Sequence, residues 1–281
     1  MAKVVGRKKL ERLLIFGAKT INTNLLKHAL VQIGGSGTVG QDNGEDSFIA
    51  NILPGFLNNT INPLIFDVGA NVGNYSLALS RHFKDASIYA FEPVAKTFDL
   101  LTTNVDGSLI KTYNLGFSDK QGVGKIFNTL NSEDTEIASL YPDVFGGVFK
   151  SDAEITSDEF SMDTIDEFCV ANNIQAIDFL KIDVEGHELF VLKGAAEMIR
   201  KGCVKIIQFE FNAHNVYSRV FLRDFYLALD NFEFYRIVQN GLLKLGPYSP
   251  LSEIFVQQNL VAIRKDLCHL INPAFLRSLA S

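Results

Sequence analysis

Four ionisable side chains follow one apolar run of the sequence, IDFLKIDVEGHE. The run has the composition of a buried strand, and Asp183, Glu185, His187 and Glu188 come at its end. A histidine has an ordinary pKa near 6.5 and suits a general base at neutral pH, and a carboxylate suits the same role where burial raises its pKa. The pattern indicates proton transfer, with Asp183, His187 and Glu210, which ends the next apolar run, as candidate catalytic residues.

Two other interpretations of this cluster stay open. Asp183, Glu210 and Asn212 carry oxygen atoms of the kind that Mg²⁺ prefers, and a bound Mg²⁺ would acidify an acceptor hydroxyl. This metal-assisted variant is the less favoured one, and no metal ligand is assigned. Glu185 and Glu188 alternatively fit a helix N-terminus, where the helix dipole favours acids by about 0.3–1 kcal/mol.

An earlier apolar run ends in a glycine turn, in PLIFDVGANVGN. Ligands of open α/β sheets bind at the carboxyl ends of the strands, and glycine lets the backbone approach a ligand closely. The spacing G-x-x-x-G differs from the dinucleotide fingerprint G-x-G-x-x-G, so a pyrophosphate cradle is not predicted. The candidate cofactor-binding residues of this turn are Asp67, Gly69, Asn71, Gly73 and Asn74.

Two further apolar runs end in residues that suit a nucleoside. SIYAFEP ends in Glu92 and Pro93, and an acid about 20 residues after a glycine turn can accept hydrogen bonds from both ribose hydroxyls. LIKTYNLGFSD ends near Gly116-Phe117-Ser118-Asp119, the place for an aromatic or small polar residue beside an adenine ring, with Ser118 as the candidate. Together the runs predict a nucleoside site without a phosphate cradle, and S-adenosylmethionine fits that description.

The apolar runs alternate with segments of helical spacing from residue 64 onward. This alternation predicts parallel βαβ units in a doubly wound sheet. Within it, FSDKQGVGKIF is expected to form a hairpin, residues 129–157 an irregular insertion, and HELFVLKGAAEMIRKG one helix. FEFYRIV and NLVAIRK are expected to add one or two strands. Residues 1–30 are expected to be helical, and the glycine-rich stretch after them a connector.

Several of these segments, taken in order, resemble the signature series of the FkbM family of S-adenosylmethionine-dependent methyltransferases. They are FDVGANVGNYSL, AFEP, GFSD, SMDTIDEF and LKIDVEGHE. The resemblance implies a class I, Rossmann-like fold, with a seven-stranded sheet whose last strand is antiparallel, and O-methylation of sugars, macrolides or similar small metabolites. Residues 61–281 would form the catalytic domain, with 129–157 as a variable insertion, and residues 1–60 a helical or loop extension acting as a lid or contact.

Composition limits the classes of function. The chain has 281 residues and a net charge of −6, which argues against a general nucleic-acid binder because such proteins need a basic surface. Residues 1–30 are basic, which suits weak peripheral contact with an anionic membrane. Cys169, Cys203 and Cys268 are too few and too scattered for a disulfide framework or a zinc site. No apolar window is long enough for a transmembrane helix, and a cytoplasmic location is expected.

These observations predict an O-methyltransferase that uses S-adenosylmethionine and acts on a small hydroxylated acceptor, with a sugar or glycan precursor favoured. The rival hypothesis is a non-catalytic protein that retains the fold as a binding or scaffold module. A nicotinamide dehydrogenase is disfavoured by the glycine spacing. The oligomeric state is left open.

Overall fold

The strands of the central sheet form where the sequence carries continuous apolar runs. In IDFLKI every residue is buried, which is the pattern of a parallel strand covered on both faces. The computed structural model describes residues 25–35, 44–129, 139–148 and 154–277. The strands of these residues are β1 (Leu64–Val68), β2 (Ser87–Phe91), β3 (Lys111–Tyr113), β4 (Gly116–Phe117), β5 (Gly122–Thr129), β6 (Ile155–Asp163), β7 (Ile177–Ile182), β8 (Val204–Phe211), β9 (Phe232–Val238), β10 (Gly241–Lys244), β11 (Gln258–Arg264) and β12 (Leu276–Arg277).

The central sheet confirms the predicted class I methyltransferase fold and extends it. Within the described residues its order is β12-β10-β9-β11-β8-β7-β1-β2-β3. Strands β3, β2, β1, β7 and β8 run parallel, and β11 lies antiparallel between β8 and β9. These seven strands are the predicted ones, except that the strand predicted in LIKTYNLGFSD is divided, with β3 in this sheet and β4 in a second one. Strands β10 and β12 were not predicted; β10 pairs back on β9 as a hairpin, and β12 pairs with β10.

Helices and helical turns cover both faces of the sheet. The α-helices of the described residues are α1 (Leu25–Gln32), α2 (Glu45–Ser47), α3 (Pro54–Leu57), α4 (Asn74–His82), α5 (Ala95–Asn104), α6 (Asp143–Gly147), α7 (Ile165–Ala171), α8 (Glu188–Lys193), α9 (Ala196–Arg200), α10 (His214–Ser218) and α11 (Leu222–Ala228). A π-helical turn spans Phe48–Ile52, and 3-10 turns span Pro250–Ser252, Lys265–Leu270 and Pro273–Phe275.

The single helix predicted after β7 is divided in two. Helix α8 ends at Lys193 and α9 begins at Ala196. A Cβ atom on Gly194, between them, would collide with the carbonyl oxygen of Ser118. The glycine therefore allows a close approach of two backbones at the point where the helix is interrupted.

Alternate residues of the strands pack against two apolar clusters, one on each face of the sheet. The segment from Phe48 to Leu57 belongs to one of them, where it contacts residues of β7, β8 and β11. Phe48 lies against Phe179, with 6.0 Å between ring centroids. The second half of the predicted extension is thus part of the core, while the division of the chain at residue 60 stays a prediction.

A second sheet replaces the hairpin predicted in FSDKQGVGKIF, so that prediction was wrong. Its order is β4-β6-β5, with β6 between the two strands expected to pair. Gly116 and Gly124 flank the ring of Phe160 from β6, and a Cβ on Gly124 would lie 2.6 Å from that ring. The glycines therefore make room for an aromatic ring from a distant segment, which a local pattern does not reveal.

Part of the predicted insertion and of the basic N-terminus lies outside the described residues. Residues 129–157 contribute the ends of β5 and β6 and helix α6, while 130–138 and 149–153 are not described. The helix predicted for residues 1–30 is seen from Leu25, and residues 1–24 are not described. Within the described part of the chain, helices long and apolar enough to cross a membrane are absent.

Candidate active site

The carboxyl ends of β1, β2, β7 and β8 open on a cavity of about 770 Å³. The strand order reverses beside β1, where β2 lies on one side and β7 on the other, and ligands bind at such a switch point. Most of the residues predicted from the sequence lie on the wall of this cavity. They are Gly69, Asn71, Asn74, Glu92, Pro93, Asp183, His187 and Glu210.

The two glycines of the first turn serve different purposes. Gly69 lines the cavity with φ of 76°, and a Cβ there would collide with the carbonyl oxygen of Asp183. Gly73 is absent from the cavity wall as described, and a Cβ on it would lie 2.8 Å from Leu101 Cδ1 and 3.0 Å from Val105 Cγ1. Gly69 brings β1 and β7 together at the cavity, whereas Gly73 lets α4 pack against α5 and is no longer assigned to the cofactor.

Asp67 lies behind the cavity wall instead of on it. Its side chain is fully buried, and it accepts a hydrogen bond from Ser76 Oγ at 2.6 Å. Its other oxygen lies 3.2 Å from Nζ of Lys181. Because both oxygens are engaged by the protein, Asp67 supports the wall from behind, and its assignment to the cofactor stays a prediction.

Lys181 is a site residue that sequence reasoning missed. It lies on the wall beside Asp183, with 3.4 Å between Nζ and Oδ2, and donates a hydrogen bond to the Gly69 carbonyl at 3.2 Å. Burial lowers the pKa of Lys181, but Asp67 and Asp183 outweigh that effect and hold it above its ordinary value. A lysine inside an otherwise apolar strand was the available signal, since lysine is almost never fully buried unless paired.

A cation–π contact and two hydrogen bonds connect Lys181 to the segment before β1. The Tyr75 ring lies 5.1 Å from Lys181 Nζ, and its hydroxyl donates to Gln208 Oε1 at 2.5 Å. Gln208 Nε2 in turn donates to Glu45 at 2.6 Å. Glu45 and Tyr75 both line the cavity. The contact joins residues far apart in the chain, so the sequence gives no local sign of it.

Glu92 presents a buried carboxylate at the end of β2. One oxygen accepts a hydrogen bond from the backbone N–H of Asn71 at 3.0 Å and the other from Val94 at 2.9 Å. Burial raises the pKa of Glu92 to about 7. Each oxygen keeps a lone pair for a further donor. The side-chain oxygen of Asn71 is buried without a hydrogen-bond partner among the described residues, so it too is available to a ligand.

Ser118 is buried beside His187 and does not line the described cavity wall. Its hydroxyl lies 2.9 Å from His187 Nε2. The wall at the end of β3 is formed instead by neighbours of Ser118 and by side chains of the second sheet that the sequence did not reveal. These are Leu115, Gly116, Phe117, Ile126 and Phe160. The apolar surface that suits an adenine ring is therefore built by two sheets.

His187 is held by hydrogen bonds at both ring nitrogens. Nδ1 lies 3.1 Å from the hydroxyl of Tyr141, Nε2 contacts Ser118, and the ring stacks on Phe190 at 4.6 Å. Burial lowers the pKa of His187 to about 4. The imidazole is neutral at pH 7 and a weaker base than its ordinary pKa implied.

Three carboxylates converge at the ends of β7 and β8. One oxygen each of Asp183, Glu185 and Glu210 lies within 4.8 Å of the others. Glu210 accepts hydrogen bonds from Gln257 and Asn212, both at 2.6 Å. Burial and then the charges of Asp183 and Glu185 raise the pKa of Glu210 well above its ordinary value. A carboxylate whose proton affinity is raised in this way suits the role of a general base.

The oxygen set predicted for Mg²⁺ is altered by the fold. The Asn212 side-chain oxygen accepts a hydrogen bond from the His214 backbone N–H at 2.8 Å, and its amide nitrogen donates to Glu210. The oxygen that lies close to those of Asp183 and Glu210 comes from Glu185 and not from Asn212. Asn212 is thus engaged in fixing Glu210.

Glu185 does more than decorate a helix start, which corrects one of the sequence interpretations. Its backbone has φ of 54°, a conformation that L residues rarely adopt. Its carboxylate lies 2.6 Å from Nδ1 of the buried His214. Burial lowers the pKa of His214, but contact with Glu185 outweighs burial and raises it. The pair fixes the loop between β7 and α8.

Glu188 holds the same loop from inside. Its side chain is 1% exposed and one oxygen accepts hydrogen bonds from the backbone N–H groups of Val184 and Gly186, both at 3.1 Å. Both N–H groups belong to the loop before α8, so these bonds hold the loop and do not cap the helix. Glu188, like Glu185, therefore does more than occupy a helix start, which corrects the sequence interpretation.

The buried Glu188 predicts a pH dependence of stability. Burial raises the pKa of Glu188 to about 7 in the folded protein from an ordinary value of 4.5. The folded state therefore binds this proton more tightly, and the stabilisation is complete below the unfolded pKa and lost as pH rises through 7. In the unmodified protein, Glu188 should lower the free energy of unfolding by on the order of 2–3 kcal/mol between pH 5 and pH 8. We expect Glu188→Gln to lack this contribution, so its free energy of unfolding should depend less on pH.

Urea denaturation at the two pH values would measure this difference. The matched control is Glu167→Gln, which removes an exposed acid from the first turn of α7. A pH difference as large in Glu188→Gln as in the unmodified protein would contradict the prediction.

Comparisons with known proteins identify the family of the chain. The profile of the methyltransferase FkbM domain matches residues 67–237. The methyltransferase sdnD of Sordaria araneosa is 34% identical over 162 residues, which cover 48% of this chain and 61% of that protein. The hexuronic acid methyltransferase AglP of Haloferax volcanii is 32% identical over 142 residues, covering 49% and 52%. The chain thus matches about half to three fifths of the length of these curated relatives.

Among solved structures, the crystal structure of methyltransferase FkbM from Methylobacillus flagellatus KT is similar over 77% of this chain and 47% of that chain. The identity is 16% and the TM-score 0.42. The profile match covers more than half of the chain and includes the ends of β1, β2, β7 and β8, where the cavity lies.

Proposed function

Because the chain belongs to the FkbM family of methyltransferases, we propose that it transfers a methyl group from S-adenosylmethionine to a hydroxyl of a small acceptor. The observation that carries the proposal is that two groups of carboxylates share one cavity. Glu92 lies at the end of β2, and three further carboxylates lie at the ends of β7 and β8. One end suits the ribose of a cofactor, and the other suits removal of a proton.

The residues at the first end fit the cofactor. Glu92 would hold the ribose hydroxyls through its remaining lone pairs, and the unpartnered oxygen of Asn71 offers a further acceptor. Pro93 and the apolar wall of Phe117 and Phe160 suit the adenine ring. The backbone of Gly69, which lines the cavity, suits the amino-acid portion.

The residues at the second end suit deprotonation of the acceptor. When bound, S-adenosylmethionine supplies a methyl group activated by the sulfonium. The protein must then align the two reactants, exclude water and accept one proton from the acceptor hydroxyl. We assign the proton to a Glu210 oxygen, since its pKa is raised and two amide groups hold the carboxylate in place.

Asp183 and His187 take positioning roles in this proposal. Asp183 is paired with Lys181, which fixes it near the cofactor side of the cavity. His187 is fixed by Ser118 and Tyr141 and shapes the wall as a neutral ring. Glu210 is therefore preferred as the base over the other two candidates from the sequence.

The acceptor class is drawn from chemistry and from the relatives. A hydroxyl that must lose a proton requires a nearby base, which Glu210 provides. One curated relative is named as acting on a hexuronic acid. We therefore propose a hydroxylated small metabolite, a sugar among them, and membrane or subunit contacts of residues 1–24 stay predictions because those residues are outside the described structure.

Calorimetry with S-adenosylmethionine and S-adenosylhomocysteine tests the cofactor assignment. We expect binding in the micromolar range, which Glu92→Ala weakens by about 1–3 kcal/mol because the ribose hydroxyls lose a charged, buried partner. Glu159→Ala, which removes an exposed carboxylate of β6, is the matched control. A folded protein that binds neither molecule would remove the enzyme assignment and favour the scaffold alternative.

A further inference from the structure

The wall of the cavity is strongly acidic. Its carboxylates are Glu45, Asp46, Glu92, Asp183, Glu185 and Glu210. Among the wall residues that the structure describes, Lys181 is the single lysine or arginine. Asp46 is exposed and belongs to the short helix α2, so it lies where the cavity meets solvent. A ligand that enters the cavity thus meets acids from its mouth to its base.

The one cationic side chain on the wall is already engaged. Lys181 Nζ contacts Asp67 and Asp183 and donates a hydrogen bond to the carbonyl of Gly69. An anion brought to Lys181 would have to displace a buried carboxylate. His187 also offers no charge, since burial keeps its pKa near 4 and its ring neutral at pH 7. The described wall therefore provides no free positive group for a carboxylate or phosphate of a ligand.

The excess of acids persists when the buried acids are protonated. Burial raises the pKa of Glu92, Glu185 and Glu210, so the charges are also counted with these three carboxyls protonated. The remaining acids at and behind the wall still outnumber the cations. Against Lys181 and His214 stand Glu45, Asp46, Asp67 and Asp183. S-adenosylmethionine adds one net positive charge, which is too little to reverse the sign.

We propose that the methyl acceptor is uncharged or cationic in the part that enters this cavity, and that acceptors bearing a carboxylate or phosphate there are excluded. This inference rests on the proposed function, because it describes the second substrate of the same site. A cleft lined by charges of one sign concentrates ligands of the opposite sign, and an unpaired like charge in an interface disfavours the wrong ligand.

The proposal separates this chain from one of its relatives. A hexuronic acid carries a carboxylate beside its hydroxyls, and the relative named for that substrate is 32% identical over about half of this chain. If this chain bound a hexuronic acid, the carboxylate of the substrate would lie among the acids of the wall. The charge of the wall therefore favours neutral polyols and amine-bearing hydroxyl compounds.

The sign of the electrostatic potential in the cavity can be measured with a thiol placed there, even though the acceptor is not identified. Val184 lines the cavity between Asp183 and Glu185, so Val184→Cys puts the thiol among the acids. The native cysteines, Cys169, Cys203 and Cys268, are replaced by alanine in the same chain. The thiol is then allowed to react with a trimethylammonium methanethiosulfonate and, separately, with its sulfonate counterpart, in the presence of S-adenosylhomocysteine.

We expect the cationic reagent to react faster by about tenfold or more, after normalisation to a free cysteine peptide. The ratio of the two rates cancels any effect of the acids on the ionisation of the thiol itself. Asp46→Lys should lower this ratio by roughly threefold, and salt should lower it further, because charges near solvent are screened. Glu167→Lys makes the same charge change away from the cavity wall and should leave the ratio unaltered.

Equal rates, or faster reaction with the sulfonate, would overturn the proposal. If Val184→Cys fails to fold, Leu140→Cys places the thiol elsewhere on the same wall and carries the same expectation. A screen of hydroxyl compounds in which a carboxylate-bearing acceptor is turned over faster than its uncharged analogue would also overturn it. Calorimetry with S-adenosylhomocysteine tests the proposed function separately from the proposed acceptor charge. Absence of binding would remove the methyltransferase assignment. The ratio of the two reaction rates reports the charge of the cavity whether or not the cofactor binds.

Discussion

Replacing Lys181 with methionine is expected to lower the free energy of unfolding by about 3–5 kcal/mol. Methionine fills a similar volume but removes the cation shared by Asp67 and Asp183. Asp67 is fully buried, so it would be left as an uncompensated charge or would have to take up a proton. The loss is therefore much larger than that expected for an exposed pair.

Urea denaturation at pH 7 measures the effect, and the chain offers a matched control. Lys125 pairs with Glu159 at 3.8 Å on the surface, so Lys125→Met should change the unfolding free energy by about 1 kcal/mol or less. Adding Asp67→Asn to Lys181→Met should recover most of the loss, because the buried charge is then removed too. A loss near that of the surface control would show that Lys181 does not neutralise Asp67.

Replacing Glu210 with glutamine is expected to reduce kcat for methyl transfer by roughly 10²–10⁴-fold. The glutamine keeps the size of the side chain but cannot take the proton of the acceptor. Affinity for S-adenosylmethionine should stay within about a factor of two, because Glu92 holds the other end of the cavity. The measurement uses an acceptor found by screening hydroxyl compounds for release of S-adenosylhomocysteine, and compares kcat with calorimetric affinity.

His187→Gln distinguishes the base from its neighbours. If His187 only shapes the wall, the variant should keep the pH dependence of kcat, while Glu210→Gln should lose the limb that reports deprotonation of the base. The opposite result, with the limb lost in His187→Gln and kept in Glu210→Gln, would return the role of base to the histidine.

The strand ends were the part of the site that sequence reasoning located best. An acid or a glycine after an apolar run marks the carboxyl end of a strand, and the parallel sheet brings those ends together. Glu92, Asp183 and Glu210 consequently meet at one cavity. The pattern could not tell which glycine faces the ligand, because Gly69 and Gly73 have the same local signature and differ in their distant neighbours.

The residues that were missed depend on contacts between distant parts of the chain. Lys181 belongs to the site because Asp67 comes from another strand. Phe160 belongs to it because β6 pairs with β4 from a distant part of the chain. Strand β12 likewise depends on a distant pairing, since its two residues pair with β10, more than 30 residues earlier in the chain. Local periodicity carries no information on such pairings.

During synthesis at the ribosome, the segment from Phe48 to Leu57 is made before the residues that bury it. Its apolar side chains are covered by Phe179, Ile206 and Val261, which emerge much later. At about 5–20 residues per second, the segment waits on the order of tens of seconds for that cover. During this interval the nascent chain presents an apolar stretch, of the kind that chaperones bind, until the last third of the chain has left the exit tunnel.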